Sequence, residues 1–345
     1  MSGGVDSSVA AGLLAEAGHE VVGATLRLWG GASDSGCCSV ADVDDARRVA
    51  QILEVEHHVF NYSAEFERHV VAPYAEGHAR GTTPNPCIEC NRKVKFDLLF
   101  ERARRLGFDA VATGHHARVE ERSGEHLLAR GVDDRKDQSY VLGYLVEAQL
   151  ARLVLPIGSM TKDEVRAHAR RMGLRTWDKP DSQDVCFIEA AKGRGAFLGQ
   201  RIAFTPARFI DRSSGDVMGE VDAAELVTVG QRRGVPMRDG ERRYVASVNL
   251  ADQRVEIARL EDVLVSELRL DESSLSFARR PLPDGTTVFA QCSAHGCPVL
   301  ARLDRQPASL TLSAPARPVA PGQTVVFYRY DEPAIVEGAA IVSST

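Results

Sequence analysis

The residues that decide the fold stand near the start of the chain, where Ser2-Gly3-Gly4-Val5-Asp6-Ser7-Ser8 is followed by Val9-Ala-Ala-Gly-Leu-Leu-Ala-Glu-Ala-Gly18. The apolar stretch predicts a short helix that ends at Gly18. A glycine pair lets the backbone approach a polyanion, and the N-terminus of the following helix offers N–H groups and a positive dipole end. The serine hydroxyls add further hydrogen-bond donors. The turn therefore predicts a phosphate-binding site.

Two further features of this turn limit its interpretation. It lacks the lysine of the Walker pattern G-x-x-x-x-G-K-[ST], so γ-phosphate transfer in that style is not indicated. A glycine-rich turn before a helix normally follows a β-strand, but no strand sequence precedes Ser2. Such a strand belongs in the middle of a parallel sheet, so we expect the natural protein to begin several residues earlier.

Downstream of the turn, apolar β-branched runs alternate with helical periods, which is typical of βαβ units around a parallel sheet. Three of the runs predict strands, at Val21–Leu26, His57–Phe60 and Asp109–Gly114. Two periods predict helices, at Val43–Leu53 and Lys93–Leu106. Thr161-Lys-Asp-Glu164 is a capping box that opens another helix, which ends at Gly173. Residues 1–190 are therefore predicted to form one doubly wound α/β domain.

From about Phe204 onward, short alternating strands replace the helices, with turn residues at intervals typical of small β-barrels. Six strands are predicted, at Leu226–Val229, Arg243–Val248, Arg254–Ile257, Thr287–Ala290, Ser309–Leu312 and Thr324–Tyr328. We expect a small central β-rich module at residues 191–260 and a C-terminal β-barrel-like domain at residues 261–345.

The composition predicts a soluble globular protein. The 345 residues are 44% hydrophobic, and they contain no apolar run of the ~18 residues that a membrane span needs. The net charge of −6 argues against a protein that binds nucleic acid with its whole surface. The seven cysteines are an odd number and nothing at Met1 resembles a signal peptide, so we expect a reducing, cytoplasmic location without a membrane partner.

Three cysteines stand in contexts that indicate chemistry. Cys87 and Cys90 form a Cys-x-x-Cys motif directly before a basic helix, and Cys186 follows nearly a hundred residues later. A cysteine at a helix N-terminus beside Arg92 and Lys93 should have a lowered pKa, as a nucleophile or a metal ligand requires. The remaining cysteines are expected to be ordinary core or loop residues: Cys37, Cys38, Cys292 and Cys297.

Three kinds of site compete for this trio of cysteines. A structural zinc site usually needs four ligands, so histidines would have to complete it. A thioredoxin-like pair would need the motif after the first strand of a thioredoxin fold, which the N-terminal phosphate turn contradicts. Sulfur transfer needs one cysteine to carry a persulfide and another to resolve the resulting disulfide, and this interpretation fits best.

Residues 2–8 resemble the loop of the N-type ATP pyrophosphatases, which split ATP into AMP and pyrophosphate to activate a substrate. Over its whole length, the chain resembles the tRNA-specific 2-thiouridylases, the MnmA/TrmU family. Motifs of that family occur in order: Thr-Pro-Asn-Pro at 83–86, Ala-Thr-Gly-His at 112–115, Lys-Asp-Gln-Ser-Tyr at 136–140, Asp181-Ser with Cys186-Phe-Ile, and Gly-Gln-Arg-Arg-Gly at 230–234. The resemblance implies ATP-dependent thiolation of a tRNA uridine.

The resemblance also implies particular site residues. It places ATP on the turn from Ser2 to Ser8, where Asp6 would help to hold Mg²⁺, and on Leu26 and Gly114. It makes Cys90 the nucleophile and Cys186 the persulfide carrier. Base recognition and tRNA contacts are implied for Asn85, Pro86, Cys87, His115, Lys136, Asp137, Gln138 and Gln323.

One departure from the family pattern concerns Cys87. Many relatives carry an aspartate there, to which an acid–base role is assigned, and that role cannot pass to a thiol. The change also makes Cys87, Cys90 and Cys186 a candidate ligand set for an iron–sulfur cluster with one open iron. Direct persulfide chemistry and cluster-dependent sulfur transfer both stay open at this point.

Basic side chains cluster in two stretches despite the acidic total. Residues 91–105 hold six of them: Arg92, Lys93, Lys95, Arg102, Arg104 and Arg105. Residues 229–243 hold five: Arg232, Arg233, Arg238, Arg242 and Arg243. We expect both stretches and the C-terminal domain to contact tRNA phosphates, with an anticodon base flipped into a pocket. Trp29 is expected to pack rather than to stack on a base.

The expected reaction begins when O2 of the wobble uridine attacks the α-phosphate of ATP and releases pyrophosphate. Sulfur on Cys186, supplied by a cysteine desulfurase or a sulfur-relay protein, then attacks C2, AMP leaves, and Cys90 resolves the adduct. One alternative is an ATP-dependent amidating synthetase of the same superfamily, which would need a glutaminase domain or an ammonia channel. Another is an RNA-binding module without activity. Pyrophosphate release that depends on tRNA would distinguish the sulfurtransferase from both.

Overall fold

The glycine-rich turn leads directly into the first helix in the computed structural model, which describes residues 1–29, 40–181, 185–189 and 191–344. Cys37 and Cys38, expected above to be ordinary residues, lie outside the described residues. The chain divides into two units. The first comprises Met1–Val71, Pro86–Ala191 and Ala334–Glu337, and the second comprises Ala72–Asn85, Lys192–Pro333 and Gly338–Thr345.

The helices and strands of the described residues follow the chain in this order. The α-helices are α1 (Val5–Glu16), α2 (Val40–Ile52), α3 (Ser63–Phe66), α4 (Ala72–Ala79), α5 (Pro86–Glu89), α6 (Leu99–Arg105), α7 (Glu147–Leu150), α8 (Lys162–Arg171), α9 (Gly193–Gly199) and α10 (Leu260–Val263). Segments of π-helix cover Glu67–Val71 and Cys90–Leu98, and 3₁₀ turns cover Ser139–Leu142, Arg175–Asp178, Ala224–Leu226 and Glu272–Ser274. The strands are β1 (Val22–Arg27), β2 (Glu56–Asn61), β3 (Val111–Ala112), β4 (Ala117–Arg122), β5 (Glu125–Arg130), β6 (Leu153–Val154), β7 (Ala207–Asp211), β8 (Val217–Val221), β9 (Tyr244–Asn249), β10 (Arg254–Ala258), β11 (Val265–Leu270), β12 (Ser276–Phe277), β13 (Thr286–Gln291), β14 (Val299–Arg305), β15 (Ala308–Ala316), β16 (Thr324–Arg329) and β17 (Val336–Ser344).

The strands of the first unit pair in parallel where the sequence predicts βαβ units. β1 and β2 run in register from Val22 opposite Glu56 to Arg27 opposite Asn61. β3 and β6 pair in the same sense. Parallel pairing needs a crossover connection, and α2 stands between β1 and β2 in the chain. The predicted α/β class is confirmed, and β4 and β5 add an antiparallel hairpin.

The first helix is held in place by its packing against α8. Val5 and Val9 of α1 share one buried cluster with Ile157, Val165 and Leu174. Burying each such side chain stabilises the fold by about 1.5–3 kcal/mol, so this cluster fixes the glycine turn next to the start of α8.

The start of α8 confirms the predicted capping box. The N–H of Glu164 donates to Thr161 Oγ1 at 3.3 Å, and Glu164 Oε2 accepts from the N–H of Thr161 at 2.7 Å. The helix ends just before Gly173, whose φ of +68° is the left-handed conformation expected of a glycine after a helix. Lys162 is therefore fixed as the first residue of a well-capped helix.

The second unit contains two β-sheets. One has four strands in the order β8-β7-β10-β9, around a core that includes Phe209, Val245, Val255 and Ile257. The other closes on itself, because β11 pairs with both ends of the series β15-β14-β13-β16-β17. Leu303, Leu310, Val325 and Phe327 belong to the core of this six-stranded barrel. The predicted C-terminal β-barrel is confirmed.

The predicted strand at Leu226–Val229 is wrong. Ala224–Leu226 forms a 3₁₀ turn, the N–H of Val227 donates to Ala224 O at 3.0 Å, and Gly230 turns the chain with a φ of +82°. Val227 is buried. The alternating apolar residues of this segment therefore reflect a turn with one buried side, and not a strand that pairs with a neighbour.

The helix predicted at Lys93–Leu106 is longer than the sequence indicates, since helical structure begins at Pro86 and passes through a π-helical segment. No helix among the described residues combines the length and the apolar character that a membrane crossing requires.

Candidate active site

The turn at residues 2–8 presents the N-terminus of α1. Gly3 has a φ of +72°, and a Cβ there would lie 2.4 Å from the carbonyl oxygen of Asp42, so only glycine fits. Gly4 is the N-cap in an extended conformation, and the first intrahelical hydrogen bond runs from the N–H of Ser8 to Gly4 O. The N–H groups before it cannot find acceptors within the helix. They offer an anion site at the positive end of a 12-residue helix.

Gly114 lies against this turn. A Cβ on Gly114 would stand 2.5 Å from the carbonyl carbon of Asp6 and 2.5 Å from the nitrogen of Ser7. Any larger residue would push the turn away, which explains why a glycine follows β3 at this point. Leu26 lies in β1 and is half-buried.

Asp6 is bound by two side chains that are distant in sequence. Lys162 Nζ donates to Oδ1 and Oδ2 of Asp6 at 2.7 and 2.8 Å. His116 Nε2 lies 3.3 Å from Asp6 Oδ1, while its buried Nδ1 has no hydrogen-bond partner among the residues that the structure describes. Burial would raise the pKa of Asp6, but the hydrogen bonds from His116 and Lys162 outweigh it and hold the pKa below its usual value. Asp6 is therefore an ionised carboxylate beside the anion site.

Lys162 also reaches a second carboxylate, Asp181. Its Nζ lies 2.8 Å from Asp181 Oδ1, and Lys136 Nζ donates to Asp181 Oδ2 at 2.7 Å. Arg166 approaches Asp181 Oδ1 at 3.4 Å. Burial opposes ionisation of Asp181, but the hydrogen bonds and charges of Lys136 and Lys162 lower its pKa to about 2. One ammonium thus bridges the glycine turn and the residue that stands five positions before Cys186.

Lys179 holds the turn from another direction. Its Nζ donates to Gly3 O at 3.0 Å, to Asp42 Oδ1 at 2.6 Å and to Asp45 Oδ2 at 2.9 Å. Burial opposes the charge on Lys179, yet the two carboxylates raise its pKa. The backbone of the turn is therefore fixed by a half-buried cation that leaves the helix N-terminus open.

The Cys-x-x-Cys motif lies in a helix rather than in a turn before one. Pro86 is the first residue of α5, where its missing N–H costs nothing, and Cys87 is exposed in the same turn. Cys90 opens the π-helical segment and is only 7% exposed. Asn91 Nδ2 donates to Cys87 O at 3.1 Å, while the buried Oδ1 of Asn91 has no hydrogen-bond partner in the described part of the chain. Segments of π-helix are frequent at functional sites.

Cys186 belongs to a segment held by aromatic packing. Phe187, the next residue, is buried with its ring 5.7 Å from that of Phe66 and 6.2 Å from that of Trp29. This contact confirms the expectation that Trp29 packs. Cys186 itself is half-buried.

An iron–sulfur cluster does not fit the side chains as they are arranged. Within the described part of the chain, no group of three or more His, Cys, Asp or Glu side chains has an arrangement that could hold a metal ion. Cys87, Cys90 and Cys186 are therefore not gathered as a ligand set. Asp6 is a different case, because Mg²⁺ is usually bound by one or two carboxylates together with substrate phosphates.

The residues implied in tRNA contact within the first unit are mostly engaged in the fold. Burial lowers the pKa of His115 to about 3, and its Nδ1 lies 2.8 Å from Thr113 Oγ1, so the imidazole is neutral near pH 7. Asp137 accepts from Arg130, from Ser139 and from the N–H of Gly131. Gln138 Oε1 accepts from the N–H of His116 at 2.9 Å, which positions the histidine that contacts Asp6.

Asn85 and Gln323 belong to the second unit. The side-chain amide of Gln323 donates to Thr83 O, and the N–H of Thr83 donates to Pro321 O at 2.7 Å. Gly322, with a φ of +89°, approaches the backbone nitrogen of Thr83 so closely that a Cβ would lie 3.1 Å from it. The segment that carries Asn85 is thus attached to the turn before β16.

The expectation that Arg243 contacts phosphate is wrong. Arg243 is buried in the second unit and its Nε donates to Asp211 Oδ2 at 3.1 Å. Arg238, from the same basic stretch, pairs with Asp216 at 2.9 Å. Counting charges along the sequence cannot reveal that these two arginines already have carboxylate partners.

The basic stretch after Cys90 stays at the surface. Arg104 and Arg105 both contact Glu101 and are mostly exposed. The guanidinium of Arg102 lies 4.4 Å from the centre of the Phe60 ring. These arginines keep the exposure that contact with phosphates requires.

Comparison with known proteins identifies the family. The tRNA methyl transferase HUP domain family matches residues 1–190, and the tRNA methyl transferase PRC-barrel domain family matches residues 195–259. The chain is 43% identical over 344 residues to the tRNA-specific 2-thiouridylase MnmA of Mycolicibacterium smegmatis, with 96% of this chain and 94% of the relative covered. The corresponding protein of Salinispora tropica is 42% identical and covers 100% of this chain and 98% of its own length. The chain belongs to the tRNA-specific 2-thiouridylase family.

Two solved structures share a more distant likeness. The NMN synthetase from Francisella tularensis is 20% identical with a TM-score of 0.34, covering 53% of this chain and 64% of its own. The U34-tRNA thiolase NcsA from Methanococcus maripaludis, with its [4Fe-4S] cluster, is 18% identical with a TM-score of 0.36, covering 58% and 60%. Neither likeness is close enough to bear on the site of this thiouridylase family member.

The family resemblance misses three residues that the structure brings to the turn: His116, Lys162 and Lys179. His116 follows β3, and the edge where parallel strands end is where doubly wound sheets bind ligands, so its position was a usable signal. Lys162 stands directly after a capping Thr, at the start of a helix. Nothing in the sequence around Lys179 indicates its contact with Gly3.

Proposed function

We propose that the protein is a tRNA 2-thiouridylase that uses ATP to activate the wobble uridine and a cysteine persulfide to deliver sulfur. The observation that carries this proposal is the arrangement of the first unit. There, the glycine turn with its ionised Asp6 is linked through Lys162 to Asp181, close in sequence to Cys186. Membership of the thiouridylase family supports tRNA as the acceptor.

The N–H groups at the start of α1 would hold the phosphates of ATP, with Ser7 and Ser8 nearby as hydroxyl donors. Asp6 would bind Mg²⁺, which supplies positive charge against the phosphate oxygens when it is present. Attack by uridine O2 on the α-phosphate then forms an adenylated base and releases pyrophosphate into the turn. Gly114 keeps the turn in this conformation.

The sulfur step is assigned to the two cysteines of the first unit. The terminal sulfur of a Cys186 persulfide attacks C2 of the activated uridine, and AMP leaves with the former O2. Cys90 thiolate then attacks the sulfur of Cys186, which releases the 2-thiouridine and leaves a Cys90–Cys186 disulfide. A reductant restores both thiols, and a cysteine desulfurase or a sulfur-relay protein reloads Cys186. Since Cys87, Cys90 and Cys186 are not arranged as ligands, the proposal contains no step through a cluster.

We also propose that residues 1–190 carry the nucleotide chemistry, that residues 191–260 form a central module and that residues 261–345 form a tRNA-contacting barrel. The match of the first family to residues 1–190 supports the first boundary. Of the residues assigned to tRNA, Lys136 and Asp137 are used in ion pairs of the first unit. Their contribution would be to shape the site as much as to touch the RNA.

The decisive experiment is the formation of 2-thiouridine by purified protein with tRNA, ATP, Mg²⁺ and a persulfide donor. We expect Cys186→Ser to abolish the product, as measured by nucleoside mass spectrometry. Cys297→Ser is the matched control, because Cys297 is exposed and belongs to the second unit. Undiminished product from the Cys186→Ser protein would remove the assignment, and pyrophosphate release that is independent of tRNA would favour the amidating synthetase.

A further inference from the structure

Lys162 occupies a position from which one ammonium serves two carboxylates of different function. It binds both oxygens of Asp6, in the glycine turn, and it also lies 2.8 Å from Asp181 Oδ1. The lysine side chain is 10% exposed, so little water competes for it. Charge-assisted hydrogen bonds of this kind are strong and directional.

The backbone of Lys162 is fixed, so only its side chain can redistribute its contacts. The residue begins α8 directly after the capping Thr161, and its N–H donates to Asp133 Oδ2 at 3.0 Å. Asp133 thereby adds a third carboxylate, which holds the main chain and leaves Nζ to the other two. A change in the hydrogen bonds of Asp6 must therefore change the ion pair of Lys162 with Asp181, and the reverse.

Asp6 and Asp181 differ in the number of cationic side chains that contact them. Asp6 has Lys162 and His116 as partners, whereas Asp181 has Lys162, Lys136 and Arg166. If Mg²⁺ and ATP bind at the turn as proposed above, the divalent ion requires oxygens of Asp6 that Lys162 occupies in the structure. Lys162 would then lose its hydrogen bonds to Asp6 and keep its ion pair with Asp181.

We propose that Lys162 is a positioning residue that couples nucleotide binding in the glycine turn to the chain around Cys186, by shifting its ion pair from Asp6 to Asp181. The inference rests on the proposed function. Asp181 stands five positions before Cys186 in the sequence, and we expect a firmer hold on Asp181 to slow reactions at that cysteine. Slower reaction would keep the persulfide from losing its outer sulfur to thiols in solution before tRNA arrives.

The test measures how fast iodoacetamide alkylates Cys186 in the full-length protein, by mass spectrometry of its peptide, with and without ATP and Mg²⁺ and without tRNA. A half-buried cysteine reacts through local opening, so its rate reports the restraint. We expect ATP with Mg²⁺ to slow the reaction at least about 5-fold in the wild type, the lower end of typical coupling between sites. Cys297, exposed in the second unit, is the reference in the same digest.

The variants separate coupling from a merely structural role. In Lys162→Met we expect the nucleotide effect to vanish, and in Lys162→Arg, which keeps the charge, we expect part of it to remain. Lys136→Met is the matched control, because it removes one cation from Asp181 without touching Asp6, and it should keep the full effect. If Lys162→Met does not fold, Asp181→Asn breaks the bridge from its other end and should give the same loss.

Equal slowing of Cys186 alkylation in the wild type and in Lys162→Met would overturn the inference. So would an unchanged rate in a wild type that binds ATP, as shown by equilibrium dialysis, and that makes 2-thiouridine. A wild type that fails to bind ATP counts instead against the proposed function on which the inference rests.

Discussion

The two units each contain an ion pair with a buried cation, and the two pairs differ at the carboxylate. In the second unit, Asp211 is 1% exposed and accepts from Arg243, from the N–H of Ser213 and from Ser213 Oγ. In the first unit, the Asp6 side chain is 30% exposed, and its partners Lys162 and His116 come from 156 and 110 positions away. The carboxylate oxygens of Asp211 accept hydrogen bonds from the protein itself and are buried, whereas those of Asp6 can be reached by a ligand.

Burial of the cation alone therefore does not distinguish a structural ion pair from a functional one. A buried carboxylate whose oxygens accept hydrogen bonds from the protein itself stabilises the fold, and breaking its ion pair leaves an uncompensated buried charge. A partly exposed carboxylate at a helix N-terminus is placed where an anionic ligand and its metal ion bind. Removing one partner should therefore affect mainly stability at Asp211 and mainly chemistry at Asp6.

The largest effect is expected for Arg243→Met, which leaves the buried Asp211 with only the more distant guanidinium of Arg238, 4.0 Å away. We expect the free energy of unfolding of the second unit to fall by about 3–5 kcal/mol, as measured by urea titration. Arg212→Met is the control, since Arg212 forms a more exposed pair with Glu256 at 3.2 Å and its loss should cost less than about 1 kcal/mol. Equal effects of the two substitutions would contradict the assignment of Asp211 as a structural site.

For Asp6→Asn we expect the rate of tRNA-dependent pyrophosphate release to fall by about 100–1000-fold, the effect typical of removing one preorganised charge-stabilising group. Stability should change little, because Lys162 keeps its partner Asp181. Asp44→Asn is a matched control, since Asp44 forms an exposed ion pair with Arg47 in α2. If Asp6→Asn destabilised the protein as Arg243→Met does and kept its activity, the distinction between the two sites would fail.

The sequence was sufficient to predict the features that depend on residues close together in the chain. The turn at residues 2–8, the capping box at Thr161 and the alternation of strands and helices follow from local residue chemistry, and the structure has all three. The strand at Leu226–Val229 was predicted wrongly. Alternation of apolar and polar residues shows that every second side chain is buried, and a 3₁₀ turn can bury the same side chains as a strand.

The partners of Asp6 and Asp211 could not be predicted in the same way. Each pair joins residues brought together by tertiary folding, and a lone lysine or arginine in sequence carries no sign of which carboxylate it will meet. Arg243 therefore looked like one of five surface charges, and Lys162 looked like an ordinary residue in the first turn of a helix. The family resemblance assigns Asp6 to magnesium but does not indicate that Lys162 holds its oxygens.

The smallest expected effect is a dependence of stability on pH that belongs to Asp211. Hydrogen bonds from Ser213 and Arg243 lower its pKa from 3.8 to about 2, despite burial. Because the folded protein holds the proton less tightly than the unfolded chain, this contribution is complete above about pH 4 and is lost as the pH falls toward 2. The shift corresponds to about 2 kcal/mol. We expect the melting temperature of Asp211→Asn to fall less between pH 4 and pH 2 than that of the wild type, and parallel curves for the two proteins would show that Asp211 titrates normally.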